Sequence, residues 1–219
     1  MNTKRNITII ILIIVVATVV GLLFKRPNAT PANTVATTTP STLTFNGAGL
    51  NVSYPKELTT YQQDDIVVIH HEIPYQNTGA CDMEGDSVVY PMLTDFHVTM
   101  RIVNSPLVQT VKSISPYIPE ENFAHDALKV NPGFIDSFEV GAFKGFVIYE
   151  GAEGCGVITH YLPIPGNKTL VVQKASIQAL SGVRGQEEIQ NILRVPGAIA
   201  PSVSDRIFTE ILQSLTLTP

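Results

Sequence analysis

Two cysteines carry the most distinctive chemistry in this chain of 219 residues. Cys81 and Cys155 lie far apart, each in a segment rich in glycine and acidic residues. An even number of cysteines in an exported domain predicts a disulfide, and closing so long a loop would stabilise the fold by about 4 kcal/mol in the chain-entropy model. Two unpaired buried thiols are the alternative. We predict a Cys81–Cys155 disulfide.

Cys155 could instead act as a nucleophile, because Gly154 and Gly156 permit a sharp turn and His160 follows five residues later. Side chains alternate along a strand, so positions 155 and 160 would point to opposite faces if both lay on one strand. The chain also lacks the Gly-x-Ser-x-Gly and Cys-x-x-Cys motifs. A thiol-dependent envelope enzyme therefore remains an alternative, and we predict no catalytic residue.

Histidines and cysteines together could hold a metal ion. Ligands usually come as spaced pairs such as His-x-x-x-His, whereas His70 and His71 are adjacent and would face opposite sides of a strand. If the thiols were free, an extracellular metal site would use these residues: His71, His97, Cys81 and Cys155. His70, Glu72 and His160 are further side chains that could contribute ligands. We predict no metal or other cofactor.

An acidic segment, Asp82-Met-Glu84-Gly-Asp86, places three carboxylates at alternating positions, as calcium loops do. An EF-hand requires glycine at loop position six and glutamate at position twelve, where this chain has Ser87 and Leu93. The segment is therefore interpreted as a solvated acidic loop. Gly47-Ala-Gly49 lacks the third glycine of a dinucleotide-binding turn, and it predicts a turn before a strand.

An apolar segment near the N-terminus predicts where the protein lies in the cell. Residues 7–24 carry no charge, and as a helix they would span about 27 Å, close to the ~30 Å hydrocarbon core of a bilayer. A cleaved signal peptide is the alternative, but Lys25 and Arg26 follow where small residues would be expected. We predict an uncleaved transmembrane signal anchor in the lipid bilayer, preceded by a cytoplasmic stub at residues 1–6.

The following segment, residues 27–42, is rich in threonine and proline and carries no charge, which predicts a flexible linker. Four of the 14 basic residues flank the apolar segment, which leaves 10 against 19 acidic residues. Such an acidic balance excludes nucleic acid as a partner, because phosphate binding needs clustered lysine and arginine. We expect a single-pass protein of the cell membrane with residues 43–219 outside the cytoplasm.

Short strands separated by turn residues are predicted from residue 43 onward. Alternation or β-branched runs predict strands at 50–54, 66–71, 95–103, 143–149, 157–162 and 169–173. Gly151 and Gly154, then Pro165-Gly-Asn167, predict hairpin turns between the last three strands. The fold class is α+β: a mainly antiparallel sheet with few helices packed on one side, preceded by one transmembrane helix.

Three helices are expected in this domain. Glu120 and Glu121 could begin a short helix through Leu128, and residues 186–194 could form another before Pro196. For the last helix, Ser204 is the expected N-cap with Asp205 in the first turn. Its apolar stripe comprises Val203, Ile207, Ile211, Leu212 and Leu215, and a short edge strand could follow it.

The strand ending at Tyr54-Pro55, the antiparallel middle and the terminal helix that runs into a short strand resemble PsbP/Mog1-like domains. The whole chain is similar to uncharacterised bacterial single-pass membrane-anchored ectodomain proteins. The likeness covers roughly residues 43–219 and rests on structural motifs. It implies a non-catalytic binding or accessory domain of the cell envelope whose partner is an envelope protein or a small-molecule ligand, and fold alone does not set function.

Oxidation of the two cysteines can be tested by the intact mass of residues 43–219 exported to an oxidising compartment. We expect a mass two protons below that of the reduced chain, restored by reductant, with no metal bound under native conditions. Free thiols with a retained metal ion would contradict the disulfide and favour a metal site. Free thiols without metal would also contradict it and make the reactivity of Cys155 the question.

Overall fold

The computed structural model describes residues 41–78 and 89–218. The strands are β1 Thr42–Gly47, β2 Leu50–Pro55, β3 Thr59–Gln63, β4 Ile66–Ile73, β5 Leu93–Val103, β6 Phe123–Ala124, β7 Ala127–Leu128, β8 Ile135–Val140, β9 Phe143–Glu150, β10 Val157–Ile164, β11 Lys168–Ala175 and β12 Thr216–Leu217. The α-helices are α1 Leu107–Ile114, α2 Gln186–Leu193 and α3 Pro201–Ser214, and 3₁₀ turns lie at Glu120–Asn122 and Gln178–Leu180.

Several predictions from the sequence fall outside the described residues: the stub, the anchor at 7–24, most of the linker at 27–42, Cys81 and the acidic segment at 82–86. Within the described part, every helix is too short or too polar to cross a bilayer.

One large antiparallel sheet organises the domain, with the strand order β3-β4-β5-β11-β10-β9-β8. Strands β9, β10 and β11 follow one another and pair as neighbours, so the two predicted hairpins are confirmed. The alternation predicted for β5 is also confirmed, since Phe96, Val98 and Met100 are buried in one cluster. In the central strands β10 and β11, alternate residues face two different cores.

The first core lies between this sheet and a second layer made of α3 and the small sheet β1-β2-β12. Leu50, Val52 and Tyr54 of β2 are buried there, as their alternation predicts. Helix α3 adds Ile207, Ile211 and Leu212, which are buried in the same cluster. The short strand after α3 pairs with β2 at the edge of the small sheet, and this confirms the predicted edge strand.

The second core covers the opposite face of the large sheet, so the expectation that helices pack on one side only is wrong. Leu107 and Val111 of α1 pack there with Tyr161 of β10 and Val171 of β11. These two strand residues alternate with Leu162 and Val172, which belong to the first core. Both faces of the central strands are apolar, and each therefore needs its own cover.

Two local predictions are corrected by the structure. Helix α3 begins at Pro201 with Ala200 as its N-cap, so Ser204 is not the cap but a buried residue within the helix. Proline is favoured in the first turn because its fixed φ suits a helix and its missing N–H would be unpaired there anyway. The expected helix from Glu120 to Leu128 is a single 3₁₀ turn followed by the two-stranded hairpin β6-β7.

Candidate functional site

A cleft lies between α3 and strands β8 to β11, on the face of the large sheet that carries the first core. Its cavity is about 360 Å³, which is within the usual size of small-molecule pockets. Its walls are mainly apolar: Phe138, Val140, Val147, Tyr149, Ile158, Phe208 and Leu212. Polar side chains also line it: Glu139, His160, Lys174, Asp205, Thr209 and Gln213.

Helical periodicity explains the wall contributed by α3. Asp205, Phe208, Thr209 and Leu212 lie at spacings of three, one and three, so they occupy one face of the helix. All four line the cavity. Ile207 and Ile211, on an adjacent stripe, are buried in the first core. Burial of that stripe thus fixes the rotation of α3 and directs Asp205 and Phe208 toward strands β10 and β11.

His160 is the most deeply buried polar residue of the cleft, with 4% of its surface exposed. It lies on β10 opposite Val172 of β11. Its ring stacks edge-on against Phe138, with ring centroids 4.4 Å apart, and lies 5.2 Å from the ring of Phe208. Among the described residues, its Nδ1 atom has no hydrogen-bond partner. A buried polar atom left unpaired in this way costs free energy, which marks His160 as unusual.

The charge state of His160 follows from this setting. Burial lowers its pKa to about 4, and the Lys174 ammonium acts in the same direction. A hydrogen bond to the backbone of Val172 raises the pKa but does not offset burial. His160 is therefore a neutral imidazole at neutral pH, with one ring nitrogen that donates and one that accepts.

Lys174 is the second buried polar residue and is 9% exposed. It lies on β11, and its Nζ donates to Oδ1 of Asp205 on α3. The Asp205 side chain is 75% exposed, so the pair joins a buried cation to a carboxylate at the surface. The Lys174 Nζ also lies 5.6 Å from the centroid of the Phe208 ring. A buried ammonium needs such partners because desolvation strongly disfavours its charge.

A smaller cavity of about 200 Å³ adjoins the Lys174–Asp205 pair. Asp95, Ser181 and Ser204 contribute polar groups to its wall. Ile158, Lys174 and Asp205 line both cavities, which places the ion pair at the boundary between them. The cleft is therefore two compartments with a charged pair at their junction.

A β-bulge positions Asp95 beside the smaller cavity. His71 pairs with Phe96 and Glu72 with Thr94, so Asp95 is the extra residue of β5. Bulges redirect side chains in this way. Asp95 is 1% exposed; its Oδ1 accepts from His71 Nδ1 at 2.6 Å and its Oδ2 from the Ile199 N–H at 2.7 Å. It thus ties β4 to the segment that precedes α3.

Among the described residues, His97 does not lie together with His71. His70 lies directly opposite His97 on the neighbouring strand, while His71 pairs with Asp95 on the other side of β4. Burial and the nearby His70 lower the pKa of His97. Among the described residues, no group of three histidine, cysteine or carboxylate side chains could hold a metal ion.

Cys155 is buried in the turn before β10. Its predicted partner lies outside the described residues, so the disulfide stays a prediction. The acidic segment at 82–86 is likewise outside them.

A polar cluster lies on the opposite face of the sheet, and its members form hydrogen bonds with one another. Ser115 Oγ donates to Glu150 Oε1 and lies 2.7 Å from the hydroxyl of Tyr161, and Tyr117 also donates to Glu150. Burial raises the pKa of both Glu150 and Tyr161. These contacts attach the segment after α1 to β9 and β10, so we interpret the cluster as structural.

The sequence pattern indicates His160 as a candidate residue, but it does not indicate that Lys174, Asp95 and Asp205 belong to the same site. A signal for Lys174 was present, because Leu170, Val172 and Lys174 alternate along β11 and place a lysine on an apolar face. A cation there must be paired or functional. Asp205 gives no such signal, since an acidic residue early in a helix is ordinary.

Comparison with known proteins gives a distant structural similarity. No protein-family model matches the chain, and no curated protein is similar to it in sequence. A crystal structure of a Bacteroides thetaiotaomicron protein at 1.50 Å resolution aligns with a TM-score of 0.38 and 9% sequence identity. The alignment covers 81% of this chain and 48% of the other, so this chain spans about half the length of that one. The resemblance to PsbP/Mog1-like domains stays a prediction.

The His71–Asp95 pair predicts pH-dependent stability. The hydrogen bond to Asp95 is the main cause that raises the pKa of His71 in the folded state, against the opposing effect of burial. Its stabilisation is therefore complete below the ordinary pKa of 6.5 and is lost as the pH rises through the raised value. Replacing His71 by glutamine should lower the melting temperature by several degrees at pH 5.5 and by less at pH 9.

Thermal unfolding of the full chain, followed by circular dichroism at both pH values, measures this difference. H125N is the matched control: His125 is exposed and has a left-handed backbone (φ 51°) that asparagine tolerates. If H71Q lowers the melting temperature by the same amount at the two pH values, the charged pair is refuted.

Proposed function

We propose that this protein is a membrane-anchored, extracytoplasmic domain that binds a small molecule in the cleft beside α3 and does not catalyse a reaction. The observation that carries the proposal is the 360 Å³ cavity, which has mainly apolar walls and two buried polar groups, His160 and Lys174. Small-molecule sites typically combine an apolar cavity with a few polar groups that fix orientation.

Binding is favoured over catalysis by the surroundings of His160. A catalytic histidine is commonly oriented by a carboxylate on one ring nitrogen and faces a nucleophile with the other. The ring of His160 is instead held between Phe138 and Phe208 and is hydrogen-bonded to the backbone of Val172. The carboxylate-bound histidine, His71, uses its Asp95 partner to join β4 to the segment before α3.

The cellular setting is proposed from the sequence. An uncharged apolar segment at 7–24 supports a signal anchor, and the linker at 27–42 could extend to about 50 Å at ~3.1 Å per residue. A tether of this length would let the domain reach ligands or partner proteins near the membrane surface. The proposed setting is thus the outer side of a bacterial cell membrane, with the first described strand close to the end of the linker.

Binding in the cleft can be tested with fluorobenzene, an apolar probe that needs no hydrogen bond. We expect the full chain in phospholipid nanodiscs to broaden the ¹⁹F resonance of fluorobenzene beyond the effect of empty nanodiscs. Replacing Val147, a buried residue of the cavity wall, by phenylalanine should remove most of that excess because the larger ring occupies the cavity. Small aromatic molecules bind in apolar protein cavities.

V183F is the matched control, because Val183 is 52% exposed and lies outside the residues that line this cavity. It makes the same chemical change and should leave the broadening intact. Equal broadening with the native chain and V147F, or none with the native chain, would count against the cleft as a binding site.

Membrane placement has a separate test. Alkaline phosphatase fused after Pro219 is active only outside the cytoplasm, whereas β-galactosidase fused at the same position is active only inside. We expect activity from the phosphatase fusion and not from the β-galactosidase fusion, because the anchor would export everything that follows it. Deleting residues 7–24 from both fusions should reverse the pattern. A β-galactosidase-positive full-length fusion would refute the extracytoplasmic assignment.

A further inference from the structure

Two histidines lie opposite each other on neighbouring strands, on the face of the large sheet away from the cleft. We propose that His70 of β4 and His97 of β5 form a site for a divalent transition-metal ion, Zn²⁺ or Cu²⁺, with water as the remaining ligands. This inference goes beyond the proposed binding function and does not depend on the cleft. Its basis is the register of the two strands, which pairs His70 directly with His97.

The alternation of side chains puts both histidines on one face of the sheet. Ile69 of β4, and Phe96 and Val98 of β5, are buried in the first core. His70 follows Ile69, and His97 lies between Phe96 and Val98, so both point to the opposite face. Among the described residues, the second core on that face includes none from β4. Both rings therefore keep access to water, and the His70 side chain is 21% exposed.

The spacing of the pair suits a single metal ion. Side chains directly opposite each other in an antiparallel pair have Cβ atoms about 4.5–5.5 Å apart. Two histidines four positions apart on a helix have Cβ atoms about 5–6 Å apart, and such pairs bind zinc in metalloproteases. The register thus gives His70 and His97 a separation that is known to allow two imidazoles to share one ion.

Two neighbours orient the ring of His70. Tyr61 of β3 packs edge-on against it, with ring centroids 5.5 Å apart. Glu72 Oε1 lies 3.9 Å from His70 Nδ1 and accepts a hydrogen bond from Thr94 Oγ1. A carboxylate beside one ring nitrogen is the usual arrangement around a metal-binding histidine, because it fixes the ring and leaves the other nitrogen for the ion. His70 Nε2 is therefore the ligand atom.

The ligand type determines which ions this site takes. Imidazole nitrogen suits zinc, copper and nickel, whereas calcium and magnesium take oxygen ligands. Among the described residues, no third histidine, cysteine or carboxylate completes the site. Water then fills the other positions, as it does at open metal sites, and the ion exchanges with the solvent. Metal must therefore be added to the purified chain to test the site.

Zinc titration of matched variants tests the pair. The full chain, without a polyhistidine tag, is placed in phosphatidylcholine nanodiscs and titrated by calorimetry in excess Mg²⁺, which competes at carboxylate sites but not at imidazoles. We expect H70Q and H97Q each to weaken zinc binding about tenfold or more, because each removes one of the two protein ligands. H125N is the control: His125 is exposed in the turn between β6 and β7, and its loss should leave the zinc affinity unchanged.

Pulsed electron paramagnetic resonance of bound Cu²⁺ reads the native chain directly, so its result does not depend on the folding of a variant. With one equivalent of Cu²⁺, we expect two coordinated imidazoles in the native chain and in H125N. A spectrum of the native chain with one imidazole or none would overturn the proposal. Zinc affinity that is unchanged in H70Q or in H97Q, or no zinc binding by the native chain, would also overturn it. Fluorobenzene binding to the cleft is a separate result that none of these outcomes changes.

Discussion

The packing of the last helix on the large sheet is the constraint on which the rest of the site depends. Ile207 and Ile211 must be buried against β2 and the central strands, and each buried aliphatic side chain of this size contributes about 1.5–3 kcal/mol. Because the helix repeats every 3.6 residues, burying that stripe also fixes where its flank points. Asp205 and Phe208 lie on that flank, one above Lys174 and the other beside His160. The cleft is thus a geometric consequence of the core.

The polar groups in this region differ in how fully they are satisfied, and the difference separates structure from recognition. Both carboxylate oxygens of Asp95 accept hydrogen bonds, so its burial is fully compensated. His160 keeps an unpaired nitrogen, and Lys174 depends on a carboxylate that is largely in water. Apolar residues at such positions would often be neutral or stabilising. The unpaired imidazole and the buried ammonium therefore support the proposed binding function.

The amino-acid sequence predicts the elements whose side chains alternate strongly, and it fails where a partner element decides the outcome. Strand β5 and helix α3 were predictable because Phe96, Val98 and Met100, and later Ile207 and Ile211, repeat with the periods of a strand and a helix. Strand β3 has mostly exposed residues, so no apolar period marks it. Periodicity alone does not predict the site. Strand register and helix packing bring His160, Lys174 and Asp205 together, and a bulge positions Asp95. The spacing of residues along the sequence predicts neither the register, nor the packing, nor the bulge.

The pKa values of two histidines on this face of the sheet, His71 and His160, are shifted in opposite directions. The contrast fits their proposed roles. The hydrogen bond to Asp95 raises the pKa of His71 above its ordinary value. Burial, helped by Lys174, lowers the pKa of His160 to about 4, so His160 is neutral at neutral pH. An imidazole that stays neutral keeps one donating and one accepting nitrogen when the surrounding pH changes. Burial is the main reason why His160 stays unprotonated, and the charge of Lys174 acts in the same direction. The stability of the fold, in contrast, varies with the charge of His71.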